Sequence, residues 1–216
     1  MQEDGIILAS ASPRRLELIA LIGWRVRVSA AEVDESRRPE EGPRAMTRRL
    51  ALAKAVAAGG ISGLILGADT VVVDGDRLLG KPENLEDARR MLEDLRGRSH
   101  RVVTSIALLD LDAGTQVVDT CESRVPMREF DDADLENYLA SGNPLDKAGS
   151  YAIQDKDFML VDVGGMQECF ANVMGLPLCH VVRNLPEAPP VDVPAACQAH
   201  TGYQCPIYRE VLEGKW

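Results

Sequence analysis

Several short stretches of this 216-residue chain put charged or polar side chains where packing alone would not ask for them. The run ASASPRR (Ala9 to Arg15) reads as a strand-to-helix turn. Ile6 to Ala9 is short and apolar, Ser12 can cap a helix, and Pro13 suits its first position. A helix N-terminus carries partial positive charge and unpaired N–H groups, so acids are preferred there. Arg14 and Arg15 stand there instead. Together with Ser10 and the backbone N–H groups they suit a bound phosphate; otherwise both arginines simply point to solvent.

In GADTVV (Gly67 to Val72), Asp69 and Thr70 interrupt a strand that is otherwise apolar. A carboxylate there needs a metal, a cation or a water-filled cleft, unless it sits at the strand's end and pairs locally. Lys81 in GKP follows a hairpin that could return it to the same end of the sheet, or it is an exposed turn lysine. The Asp34-Glu35 pair in a loop and Lys54 on a helix are ambiguous in the same way. DKAGSYAIQD (Asp146 to Asp155) packs Asp146, Lys147, Tyr151 and Gln154 among small residues. Gln154 offers a donor and an acceptor, which suits a base edge, although an ordinary polar loop would look similar.

Other chemistries find no support. No G-x-x-x-x-G-K-[ST], no G-x-S-x-G elbow, no H-E-x-x-H and no strand-borne G-x-G-x-x-G occurs. Cys197, His200 and Cys205 sit at C-x2-H-x4-C, but zinc usually takes four ligands, and a mobile tail is the simpler reading.

Strands and helices alternate, giving an α/β class with a mixed twisted sheet and flanking helices. Strands are expected at Ile6 to Ala9, Trp24 to Ser29, Leu64 to Val73, Arg77 to Leu79, His100 to Asp112, Thr115 to Phe130 and Phe158 to Val163. Helices are expected after Ser12, from Arg44 to Ala58, from Asn84 to Gly97, from Asp131 or Asp132 to Gly142, and from about Leu178. The Pro-rich Leu185 to Ala196 should be an extended arm. A net charge of −10 argues against polynucleotide as a partner, while focused arginines and lysines can still hold a small phosphate ligand. No apolar run approaches the ~20 residues needed to cross a bilayer. The acidic start MQEDGIILAS does not read as a signal peptide, and an odd number of scattered cysteines fits a cytoplasmic protein.

The ordered series ASASPRR, Asp34-Glu35, GADTVV, GKP, GRSHRVVTSIAL, DKAGSYAIQ and NVMGLPL resembles the Maf family from about Ile6 to Leu185. The resemblance implies one nucleotide pyrophosphatase domain over residues 1–185, with two lobes around a nucleotide cleft and kinship to inosine triphosphate pyrophosphatases. Residues 186–216 would then be a C-terminal arm or tail. It implies hydrolysis of a nucleoside triphosphate to the monophosphate and pyrophosphate with a divalent cation, Mg²⁺ or Mn²⁺. By motif position Asp69 would be the catalytic acid-base residue, Arg14, Thr70 and Gln154 the substrate-discriminating positions, and Ser10, Arg15, Glu35, Lys54 and Lys81 other site residues. Glu35 with Asp69 would hold the metal. A homodimer is also implied. The DKAGSYAIQ segment is similar to the dTTP/UTP branch, except that Ala152 and Asp155 stand where glycine is usual. The rival readings are 7-methyl-GTP or another base, and a non-catalytic nucleotide-binding regulator of cell division.

Overall fold

The computed structural model describes residues 5–155 and 157–216; the acidic Met1 to Asp4 lies outside them. Six strands form one mixed sheet: β1 (Ile6–Leu8), β2 (Val26–Val28), β3 (Leu64–Asp74), β4 (Arg77–Leu79), β5 (Ser99–Asp110) and β6 (Thr115–Pro126). Their order is β2-β1-β3-β5-β6, with β4 also on β3. β1 runs parallel to both β2 and β3, whereas β4 and β5 are antiparallel to β3, and β6 is antiparallel to β5.

One edge of β3 is shared by two short strands. β1 pairs with Leu64 to Leu66 and β4 with Val72 to Asp74, so among the described residues no strand lies beside Gly67 to Val71 on that side. The opposite edge is paired with β5 through this stretch, Asp69 facing Ser105 and Thr70 facing Thr104. Backbone conformation at Asp69 and Thr70 is thus held from one side and open on the other.

Among the described residues eight α-helices accompany the sheet: α1 (Pro13–Ala20), α2 (Pro43–Ala57), α3 (Leu85–Leu95), α4 (Asp132–Ala140), α5 (Phe170–Met174), α6 (Leu178–Arg183), α7 (Val193–Thr201) and α8 (Tyr208–Leu212). Two caps follow from side-chain chemistry: Asn84 accepts from the Asp87 N–H and Asp131 from the Asp134 N–H, both at 2.9 Å. The main core packs α1, α3, α4 and the later helices on one face of the sheet. Helix α2 covers the other, with Ala51 and Ala55 against Ile7, Ile65 and Ala107.

Three expectations are corrected. Phe158 to Val163 is not a strand: it makes one bridge, Val161 to Met127, with Leu160 accepting from the Arg128 N–H at 2.9 Å. Helix α5, unforeseen, follows it. The C-terminal arm is not extended past Asp192. Pro194 occupies the first turn of α7, where its missing N–H has no intrahelical partner to lose, and Asp192 accepts from the Ala195 N–H at 3.1 Å. Nor is the tail loose, since Val193, Ile207 and Val211 are buried in the main core. Among the described residues no helix is long and apolar enough to cross a membrane.

The segment bearing Gln154 is tied to this frame by a buried pair. His100 on β5 meets the Tyr151 hydroxyl at 2.6 Å, Nε2 to Oη. Burial pushes the imidazole from its ordinary value of 6.5 down to about 4. Between those values the unfolded chain binds a proton that the folded one refuses, so stability is present above pH 6.5 and is lost as pH falls toward 4. The expected loss is about 3 kcal/mol from this residue. Urea denaturation of the wild type and His100→Gln across that window checks it; equal pH slopes would remove His100 as the cause.

Candidate active site

Alternation along β3 sends its odd-numbered side chains toward α2 and its even-numbered ones toward the main core. Asp69 therefore faces α2. The helix lies unusually close there because residue 67 has no side chain: a Cβ at Gly67 would meet the Ala51 carbonyl oxygen at 2.1 Å and the Ala55 nitrogen at 2.8 Å. That approach brings Lys54, on the next turn of α2, over the carboxylate. Its ammonium lies 2.7 Å from Asp69 Oδ1 and 2.7 Å from Glu35 Oε1. Asp69 is buried and Lys54 nearly so, whereas Glu35 reaches in from an exposed loop.

Thr70 points to the other face, where Arg15 reaches it from α1. The Arg15 guanidinium donates to Thr70 Oγ1 at 3.0 Å, to Ser10 Oγ at 3.2 Å and to the Gly175 carbonyl at 2.9 Å. Gly175 caps α5 with φ of +108°, a left-handed conformation that favours glycine. Thr104 completes the anchoring, 3.0 Å from Thr70 Oγ1 and donating to the Asn172 carbonyl at 3.1 Å. Asn172 donates in turn to the Val102 carbonyl and Ser123 Oγ. Ser12 occupies the cap position of α1 without a side-chain cap bond; its N–H goes to Ser10 Oγ at 3.3 Å. No acid stands in the first turn of α1.

The groups influence one another's protonation. Burial raises the Asp69 carboxyl above its ordinary range, and Lys54 and Arg15 oppose that rise while Glu35 adds to it. Burial also weakens the hold of Arg15 on its proton, with Asp69 acting in the opposite sense. A carboxyl lifted toward neutrality while still gripped by a cation is better suited to accepting a proton than a free aspartate.

Six sequence-predicted residues thus gather in two clusters on either face of β3, Glu35, Lys54 and Asp69 on one and Ser10, Arg15 and Thr70 on the other. Three stand apart from both. Arg14 turns sideways to Asp146, 3.5 Å away. Lys81 is exposed, though its neighbour Gly80 is fixed by accepting from the Gly149 N–H at 3.0 Å. Gln154 lines a hollow of about 340 Å³ with Ile153, Phe170 and Met174, and its Oε1 is buried with no partner among the described residues. The hollow and the arginine site share α5, because Met174 lines the first and Gly175 grips Arg15 in the second. Asp155 is not a plain solvent-facing substitution; it accepts from the Tyr138 hydroxyl at 3.1 Å on the border of that hollow.

The glycines at 67 and 175 had no role assigned from sequence, since what they permit is a contact with a distant segment. Asp69 and Glu35 offer hard oxygen ligands on either side of one cation. Among the described residues no group of three or more His, Cys, Asp or Glu gathers as a metal cage. Two carboxylates fit an ion such as Mg²⁺, which commonly takes its remaining ligands from substrate phosphates and water. In the tail, Cys197 and Cys205 line one hollow and His200 another, and the three do not gather as a metal cage.

The family pattern described as Maf-like protein matches residues 5–188, from the start of β1 to beyond α6. The chain belongs to the Maf family. Maf relatives include a protein of Moorella thermoacetica named dTTP/UTP pyrophosphatase, 44% identical over 178 residues, covering 82% of this chain and 91% of that one. Another of the same name, from Citrifermentans bemidjiense, is 41% identical over 187 residues, covering 86% and 96%. Among solved structures the Staphylococcus aureus Ham1 protein aligns with a TM-score of 0.43 at 15% identity, over 57% of this Maf chain and 72% of that one.

Proposed function

We propose that this Maf protein hydrolyses dTTP and UTP to the nucleoside monophosphate and pyrophosphate. The observation that carries the reading is the buried Asp69 carboxylate, held by Lys54 at 2.7 Å in the open stretch of the β3 edge. Relatives at 41% to 44% identity bear the name dTTP/UTP pyrophosphatase and support the choice of substrate.

The chemistry asks for water to attack the α-phosphorus while pyrophosphate leaves. Asp69 takes the proton from that water, for which its raised affinity for protons suits it. Lys54 and Arg15 neutralise phosphate oxygens, and both are pre-placed by packing rather than recruited by substrate. Arg15 spends three donor contacts on Ser10, Thr70 and Gly175, so its orientation costs little when phosphate arrives. Arg14 can exchange its partner Asp146 for a phosphate, because at 3.5 Å that pair is a loose one. Lys81, exposed after β4, adds positive charge. Asp69 and Glu35 would hold a Mg²⁺ or Mn²⁺, which when bound would make the water more acidic and offset phosphate charge.

The hollow beside α5 takes the base. Apolar walls from Ile153, Val161, Phe170 and Met174, with a buried Gln154 Oε1 that has no partner among the described residues, suit a planar heterocycle. Gln154 Oε1 accepts the N3–H that uracil and thymine carry and cytosine lacks. Gln154→Ala is expected to narrow the preference for dTTP and UTP over CTP about ten- to a hundredfold, judged by kcat/KM for each. An unchanged base profile would take Gln154 out of base recognition.

The reading as a whole is tested by pyrophosphate release from a panel of nucleoside triphosphates with Mg²⁺ or Mn²⁺. Release centred on dTTP and UTP supports it. Release centred on another base keeps the chemistry and replaces the substrate; no release by protein that binds nucleotide makes it a binding module.

A further inference from the structure

The family pattern ends at residue 188, yet the chain continues through α7 and α8 back onto the same core. The far end of α7 is fixed against α5. The Tyr203 ring stacks on Phe170 with centroids 5.6 Å apart, and its hydroxyl donates to the Met166 carbonyl at 3.0 Å. Val193 is buried at the start of the helix and Cys197 packs on the core midway. Because Phe170 and Met174 are also walls of the hollow that Gln154 lines, this docking carries the last turn of α7 to its rim. His200 and Thr201 line it there.

The two residues differ in what they can offer. The Thr201 hydroxyl is engaged, donating to the Cys197 carbonyl at 2.8 Å and accepting from the Tyr203 N–H at 3.2 Å. His200 is exposed, and no side-chain hydrogen bond or ion pair joins it to the other described residues. A neutral imidazole brings one donor and one acceptor to such a rim. The deep partner in the hollow, Gln154 Oε1, is an acceptor only.

We infer that α7 is one wall of the base site, and that His200 donates to a carbonyl of the pyrimidine that Gln154 engages from the other side. This rests on the reading of the hollow as the base site. A segment outside the family pattern thereby sets part of this chain's affinity for its nucleotide. His200 is a specificity contact in this scheme and takes no part in proton transfer at phosphorus.

The test uses the full chain with His200→Ala and His200→Gln, measuring KM and kcat for dTTP, UTP, CTP and GTP. In His200→Ala the KM for dTTP and UTP is expected to rise about three- to tenfold, with kcat close to wild type. Glutamine, which keeps a donor at similar reach, should recover most of the loss. Thermal unfolding should be unchanged in both, since the side chain is exposed. An unaltered KM for every nucleotide overturns the inference while leaving the enzyme reading intact. A fall in kcat that glutamine does not recover, or a lowered melting temperature, overturns it too, because the role would then be structural. Failure of the wild type to release pyrophosphate from any nucleotide instead overturns the enzyme reading itself, and the inference with it.

Discussion

Asp69→Asn is expected to lower kcat for pyrophosphate release by about 10²- to 10⁴-fold, the range spanned by removal of a positioned acid-base group. Nucleotide binding should survive, because the groups that would hold phosphate, Arg15, Thr70 and Ser10, are tied together by the Arg15 guanidinium, itself fixed by the Gly175 carbonyl, rather than by a hydrogen bond to Asp69. Lys54 would keep one carboxylate partner, Glu35, so the ammonium is not left buried alone. The substitution also reveals the sign of the site's contribution to stability. Burial raises the affinity of Asp69 for protons, so the folded state is penalised for keeping it ionised at neutral pH. The asparagine protein should consequently unfold at the same temperature as wild type or above it. Steady-state rates, calorimetric binding of a non-hydrolysable triphosphate and a thermal melt separate these statements. Near-normal turnover would remove Asp69 from the mechanism; a collapsed melting temperature would make it a structural residue.

Two of the residues that gather at the site were visible as exceptions to local pattern: Arg15, one of two arginines where a helix prefers acids, and Asp69, an acid inside an apolar strand. What local pattern could not show is why they meet. Lys54 reaches Asp69 because Gly67 lets α2 settle onto the sheet, a contact between turns of chain separated by a loop and a strand. Arg15 reaches Thr70 because Gly175, 160 residues away, supplies a carbonyl on the far side. The frame divides in the same way. Helices α3 and α4 begin at the asparagine and aspartate that their caps require, so their starts are readable from composition. Helix α7 begins among prolines that suggest an arm, and it is helical because its apolar side chains find the core. The stretch from Phe158 to Val163 has the composition of a strand but finds one bridge where a ladder would be needed. Gln154 was readable as a polar group with two hydrogen-bonding faces; that its Oε1 is buried without a partner among the described residues, in a hollow the tail helps to line, was not.

Lys54→Met should separate the two roles of the cation that holds Asp69. Lys54 is the leading influence opposing the rise that burial imposes on the carboxyl. An opposite charge within a few ångströms shifts a carboxyl by about 1 to 3 pH units, so its removal should move the acidic limb of the kcat/KM profile upward by that amount. In the proposed mechanism the limb belongs to a group that must be ionised to act: activity should rise with pH through the Asp69 titration, which burial holds above the ordinary carboxylate range. On the acidic side, then, the methionine protein should be about 10- to 1000-fold less active than wild type, with the deficit shrinking as pH rises. What persists on the alkaline plateau measures the second role, phosphate neutralisation. Lys54→Arg, which keeps a cation, should leave the limb near its wild-type position even if the longer guanidinium lowers the plateau. A methionine protein whose profile drops uniformly, with no displacement of the limb, would show that Lys54 serves the phosphates alone and that Asp69 is not the titrating base.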